Sequence, residues 1–408
     1  MAPRIVLNMI VKNESAVIGR CLEAALPFVD GYVVCDTGST DATVALVEEA
    51  AARRGVPGQV VRHGWRDFGH NRTQAAAEAR AWVAGQGWPL GDAYLLFVDA
   101  DMVLGARSGF DRAALRAPSY QIAQQNGGLQ YYNLRLARLS HEWRSVGVTH
   151  EYWEALPGAP PPERLEALWI DDRGDGGSKA DKFERDRALL KAELREHPDN
   201  ERAMFYLAQT QRDLGTQTGD VGALAAARDL YERRAGMGGW EEEVCCAWRQ
   251  AGRLSAELGE WPRAGAAFLA AWEARPSRLE AVHDLVAGLL DRRQHHTAHR
   301  FTALAAGAGG LAVPEDVLFV EPWVYRWGLL FQHSVAAYWC GELDASIRAC
   351  KRLLAIESLP DVHRHQTEVN MRLAFSQKAR QVVERMQMPQ YTTRPLAHAG
   401  TPTRGRAA

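Results

Sequence analysis

A charge imbalance is what this sequence lacks first. Its 48 Lys and Arg face 50 Asp and Glu, for a formal net charge of -2. No global field of one sign is available to recruit nucleic acid or a membrane surface. Long apolar runs are missing too, so no membrane span is expected. Cysteine is scarce: Cys21, Cys35, Cys245, Cys246, Cys340 and Cys350 are the full set, with no C-x-x-C spacing among them. That excludes the usual zinc patterns and a disulfide framework, and leaves buried free thiols in a reducing compartment. A signal-peptide pattern is absent as well, because Arg4 to Asn8 already read as a strand. These absences together predict a cytoplasmic protein without a membrane or nucleic-acid partner.

What is present begins with Tyr94-Leu95-Leu96-Phe97-Val98-Asp99-Ala100-Asp101. Five apolar or aromatic residues form a buried-strand pattern that runs into two aspartates. In a parallel α/β sheet, ligands bind just beyond the carboxyl ends of the strands. Two carboxylates there offer hard oxygen ligands for Mg²⁺ or Mn²⁺, a metal that commonly shares its shell with a diphosphate. The plainer alternative is that Asp99 or Asp101 caps a turn.

Three further strand patterns precede it, at residues 4–11, 32–35 and 59–63, with helical spacing between them. Asn13 is placed as an N-cap for the first helix. The alternation predicts a Rossmann-like α/β domain with a mostly parallel sheet. Residues 119–125, 129–139 and 146–154 then read as strands with few helices between them, a mixed half that would carry the acceptor side of a cleft. A rigid crossover at 157–162 and a glycine-rich charged loop from Asp171 to Lys179 follow.

From Lys179 onward the pattern is helical. Glu201 to Leu214-Gly215, Trp240 to Leu258-Gly259 and Tyr338 to Asp344 repeat a motif of short helices with Leu-Gly turns, as in degenerate tetratricopeptide-like units that stack into a solenoid. Trp240, Trp248, Trp261 and Trp272 read as core filling. The expected division is an α/β domain at 1–178, a helical domain at 179–386 and a disordered tail at 387–408.

A site at the strand ends would gather Asn13, Glu14, Asp36, Arg72, Asp99 and Asp101. A carboxylate at Asp36 can accept a hydrogen bond from a uracil N–H or a ribose hydroxyl, or serve the turn it opens. Arg72 can neutralise phosphate or remain a solvated helix arginine. His150 and Glu151 stand side by side in a strand-like stretch, where neighbours point to opposite faces unless the strand breaks. His150 can complete a metal shell begun by the aspartates.

Met9 to Glu14, Asp36 to Asp41, Trp65 to Phe68 with Asn71-Arg72, Val98 to Asp101 and Val148 to Glu151 occur in that order. This series resembles the family 2 glycosyltransferases of GT-A fold. It is most similar to the branch fused to tetratricopeptide-like helices, which includes the sublancin-type peptide S-glycosyltransferases. The resemblance implies an inverting, metal-dependent hexosyl transfer from a UDP-sugar to a peptide, protein or glycan acceptor. It implies that Asp36 contacts uridine, Asp99 faces ribose or sugar, Asp101 holds Mn²⁺ or Mg²⁺, and His150 is a further metal ligand. Glu151 is the chosen base, with Asp171 and Asp172 as runners-up. The loop with Lys179 and Lys182 can close over the diphosphate and exclude water, or serve as an ordinary interdomain linker. A homodimer through the helical domain is open to such a chain.

Two departures from that family matter. No Q-x-x-R-W motif of the processive synthases occurs, and Met102 stands where many relatives place an acid. Two other readings compete. A sugar-phosphate nucleotidyltransferase would carry a basic glycine-rich loop after the first strand, which Lys12-Asn13-Glu14-Ser15 lacks. An inactive scaffold with a peptide-binding helical array is the non-enzymatic alternative.

Overall fold

The computed structural model describes residues 2–126, 129–177, 182–307 and 310–387. The chain divides into two compact units, Met1–Gly259 and Glu260–Ala408. The helices at 182–257 therefore pack in the same unit as the sheet, where the sequence reading opens a second domain at 179. The expected tail falls outside the described residues, except that Gln387 ends the last helix.

The first unit opens with β1 (Arg4–Val11), α1 (Ile18–Ala25), β2 (Gly31–Asp36), α2 (Thr43–Arg54), β3 (Gly58–Arg62), α3 (Phe68–Gly85) and β4 (Ala93–Phe97). It continues with β5 (Met102–Ala106), β6 (Ser119–Asn126), β7 (Leu129–Arg138), β8 (Glu142–Val146), β9 (Tyr152–Leu156) and β10 (Glu163–Asp172). Eight strands form one sheet in the order β3-β2-β1-β4-β7-β6-β10-β5, while β8 and β9 make a separate hairpin. The β3-β2-β1-β4 half is parallel throughout, and the rest is mixed.

Both faces of the parallel half are covered, and the residue pattern shows why. Along β1, Ile5, Leu7, Met9 and Val11 pack on one face with Ile18, Cys21, Leu22 and Ala25 of α1. Those four α1 residues recur at helical spacing. Val6 points to the other face, with Ala75, Ala76, Ala79 and Val83 of α3. Each fully buried Leu or Ile here contributes roughly 1.5–3 kcal/mol. Asp67 caps α3 by accepting from His70 N at 2.7 Å. Gly55 ends α2 at φ 64, a conformation that a side chain would disfavour. Asn13 does not cap α1, which starts at Ile18. Its side-chain oxygen instead accepts from Thr40 N at 2.7 Å, and its own φ is 54, so it belongs to the strand-end turn.

The remaining helices of this unit are α4 (Lys182–Glu196), α5 (Glu201–Thr218), α6 (Val221–Gly236) and α7 (Glu241–Glu257). Asn200 and Asp220 cap α5 and α6. Gly215 does not end α5; it lies inside it and receives the Leu224 side chain, and Gly219 is the left-handed cap. Arg234, fully buried, pairs with Glu243 at 2.6 Å and Glu201 at 3.2 Å, tying α5, α6 and α7 together.

The second unit holds α8 (Trp261–Ala274), α9 (Glu280–Asp291), α10 (His295–Thr302), α11 (Leu329–Trp339), α12 (Leu343–Leu354) and α13 (Asp361–Gln387). Arg278, 2% exposed, anchors the chain before α11 by pairing with Glu280 and donating to the Leu318 and Phe319 carbonyls. The four tryptophans read as core are not: Trp240 is 42% exposed, and Trp248, Trp261 and Trp272 are half-buried. All six cysteines are free, and all but Cys340 are buried. No helix among the described residues is long and apolar enough to cross a membrane.

Candidate active site

A cleft of about 790 Å³ lies at the carboxyl ends of β1 and β4, the two strands whose adjacency reverses the strand order. Asn13, Glu14, Arg72, Asp99, Asp101, His150, Glu151 and Asp172 all line it. Asp36 does not. Its carboxylate, 2% exposed, accepts from Ser39 N at 3.1 and 3.2 Å and so shapes the turn after β2. Lys179 lies outside the described residues.

Arg72 is the hub. From the second turn of α3 it donates to Asp99 Oδ1 at 2.6 Å and to Glu151 Oε1 at 2.5 Å. Burial works against its charge, but Asp99 and Glu151 outweigh that and hold the guanidinium protonated above its ordinary range. Burial also opposes the Asp99 charge; Arg72 and Arg135 overcome it and bring its pKa down to about 2. Each Asp99 oxygen thus accepts from a guanidinium group. Among the described residues no three His, Cys, Asp or Glu side chains converge as a metal site. The expected trio of Asp99, Asp101 and His150 is thus not assembled.

The stretch read as a strand at 146–154 is two strands with a turn between them. Gly147 at φ 109 and His150 at φ 52 break it, and this turn sets both His150 and Glu151 toward the cleft. A left-handed non-glycine residue costs on the order of 1–3 kcal/mol and needs support from its surroundings. The imidazole stacks on Tyr206 at 4.1 Å. Burial, then Lys182 and Arg202, push its pKa down to about 4, so it is neutral at pH 7.

Glu14 and Asp101 face each other across a glycine. A Cβ on Gly176 would stand 3.2 Å from an oxygen of each. Gly177 N donates to Glu14 at 2.9 Å and Gly176 N to Asp101 at 3.4 Å. Burial raises the Glu14 pKa, the Gly177 N–H partly offsets this, and the charges of Asp101, Asp99 and Asp41 add to the rise. A second, paired contact, Arg20 to Asp175 at 2.7 Å, fastens this segment to α1.

Sequence reasoning missed Gln124, Tyr131 and Arg135. Arg135 joins Asp99, at 3.4 Å, to the Gln124 side-chain oxygen, at 2.9 Å. Gln124 then donates to Asp172 at 2.9 Å, as does the Tyr131 hydroxyl at 3.3 Å. Burial, then Asp172, push the Tyr131 pKa up to about 12, so this phenol stays a donor. Only the alternation of β6 and β7 carried a signal: Gln124 and Tyr131 are cross-strand partners.

Residues 7–105 match the family model of glycosyl transferase family 2. The chain thus carries at its N-terminal end a domain that matches glycosyl transferase family 2, and helices follow it. Asp36, Arg72, Asp99 and Asp101 fall within the matched span; His150, Glu151 and Asp172 lie beyond it. The chain is 30% identical over 237 residues to a TPR repeat-containing protein of Synechococcus elongatus, covering 53% of each. It therefore spans about half the length of that curated relative. Among solved structures it is similar to YrrB, a TPR protein, at TM-score 0.33 and 13% identity over 47% of this chain and 86% of that one. It is also similar to glucosyl-3-phosphoglycerate synthase from Mycobacterium tuberculosis, at TM-score 0.18 and 22% identity over 25% and 34%.

Proposed function

We propose that the protein transfers a hexosyl group from a UDP-sugar to a nucleophilic acceptor with inversion at the anomeric carbon. The observation that carries this reading is the end of β4. There Asp101, and an Asp99 held by two arginines, face a cleft large enough for a nucleotide sugar, inside the span that matches the family. The catalytic chemistry is assigned to residues 1–178 and acceptor presentation to the helices of 179–386, with a peptide, protein or glycan as acceptor.

The chain's own groups suit a divalent cation. Glu14 and Asp101 lie close together beside Gly176, the charges of Asp101, Asp99 and Asp41 add to the burial that raises the Glu14 pKa, and His150 is neutral at pH 7. Asp101 and His150 would hold Mn²⁺ or Mg²⁺, which when bound offsets charge on the leaving diphosphate. Asp99, fixed by Arg72 and Arg135, is set to accept from a ribose or sugar hydroxyl. Of the three carboxylates named as base, we assign the role to Asp172; Asp171 does not line the cleft and pairs with Arg173 at 3.0 Å. The partners of Asp172 are the neutral Gln124 amide and Tyr131 hydroxyl, whereas Glu151 is committed to Arg72. In this reading Asp172 removes the acceptor proton as the acceptor attacks in line.

The test is UDP release from a panel of UDP-sugars with Mn²⁺, with Asp101→Ala as control. Metal-dependent release that Asp101→Ala abolishes supports the reading. No release, and no thermal stabilisation by any nucleotide sugar with metal, would overturn it and favour the scaffold.

A further inference from the structure

The Gly147–Glu151 turn carries two cleft residues, of which His150 is in the costly left-handed conformation, and α5 supports the turn from behind. Arg202 donates to the His150 carbonyl twice, from Nε at 3.1 Å and from Nη2 at 2.7 Å. Its guanidinium lies over Tyr152 at 5.0 Å and over Tyr206 at 4.9 Å. Tyr206 in turn stacks on the His150 ring at 4.1 Å, with an interplanar angle of 6°. The fork thus ties the backbone oxygen of the left-handed residue to α5, while the neighbouring ring fixes its side chain.

We propose that Arg202 is a positioning residue for the active site. It holds the Gly147–Glu151 turn so that His150 and Glu151 face the cleft, and the helical array is thereby part of the catalytic apparatus as well as an acceptor module. This inference rests on the transferase reading above. Arg202 acts through His150. The adjacent Glu151 holds Arg72, so the support continues to Asp99.

Two readouts on the full chain test it, in Arg202→Ala, Arg202→Lys and Tyr206→Leu. The first is amide hydrogen exchange without any ligand. Losing two charge-assisted hydrogen bonds predicts exchange at 147–152 faster by about tenfold or more in Arg202→Ala, with the sheet unchanged. Arg202→Lys, which keeps the charge and one donor, should fall between Arg202→Ala and wild type. The second is UDP-sugar hydrolysis as a function of Mn²⁺. The half-saturating Mn²⁺ should rise by about tenfold in Arg202→Ala while kcat at saturating Mn²⁺ falls much less, a split that general destabilisation does not produce. Unchanged exchange at 147–152 overturns the proposal, and so does equal acceleration across the unit. If wild type releases no UDP and no nucleotide sugar with metal stabilises it, the transferase reading fails, and the exchange comparison still decides the positioning claim.

Discussion

Arg72 decides more of the site than any other single residue. Its two carboxylate partners come from the end of β4 and from the turn before β9, so one guanidinium joins the two segments. Removing it strands Glu151 in a half-buried setting and leaves Asp99 to Arg135 alone, which is costlier than removing a pair together. Arg72→Met should therefore lower stability by about 2–4 kcal/mol, and Arg72→Met with Asp99→Asn by less than the sum of the two, read by urea unfolding as a double-mutant cycle. The pH sign follows from Asp99. Its folded pKa, about 2, lies below its unfolded value of 3.8, so its contribution is full above pH ~4 and is lost as pH falls toward 2. Asp99→Asn should flatten the acid limb of stability in that window. For the proposed base, Asp172→Asn should lower kcat by about 10²–10⁴ with donor KM little changed.

At the scale of elements, the parallel half was legible because its strands are buried on both faces and end in polar turns. The Asp99-x-Asp101 position was legible because it follows a hydrophobic segment; the turn that sets His150 and Glu151 toward the cleft was not, because 146–154 reads as one strand. The Gln124-Arg135-Asp172 network was not, since β6, β7 and β10 meet only through sheet order. The role of Arg202 was hidden because a helix arginine gives no local sign of the carbonyl it meets. Asn13 misled, because a turn asparagine reads the same whether it caps a helix or accepts from Thr40. The junction of α3 with the turn after β8 yields a further test. A Cβ on Gly69 would lie 2.3 Å from the Gly147 carbonyl oxygen and 3.1 Å from that of Ser145. Backbone cannot yield as a flexible side chain does, so Gly69→Ala should destabilise by about 1–3 kcal/mol. Hydrolysis should fall with it, measured beside thermal unfolding.

Across the whole molecule, each of the two units buries its own apolar residues, so each should report separately on unfolding. His333, 4% exposed, belongs to the second. Burial, then His299, Arg352 and Arg348, bring its pKa down to about 4, and Thr302 Oγ1 lies 3.1 Å from its Nδ1. The unfolded chain takes up this proton near pH 6.5 and the folded one near pH 4. Stability of the second unit should thus fall by about 3 kcal/mol as pH drops across that interval. His333→Gln should remove most of that dependence in one calorimetric transition and leave the other unmoved.

The contact of Gly69 with Gly147 has a mechanical meaning. Main chain presses on main chain there with no room for even a methyl group, and Phe68 N donates to the Val148 carbonyl beside it. Such a seam has no slack. The wall built by α3 and the 147–151 turn is therefore the rigid side of the cleft, while across from it Gly176 and Gly177 reach Asp101 and Glu14 through their backbone N–H groups and Asp175 beside them pairs with Arg20.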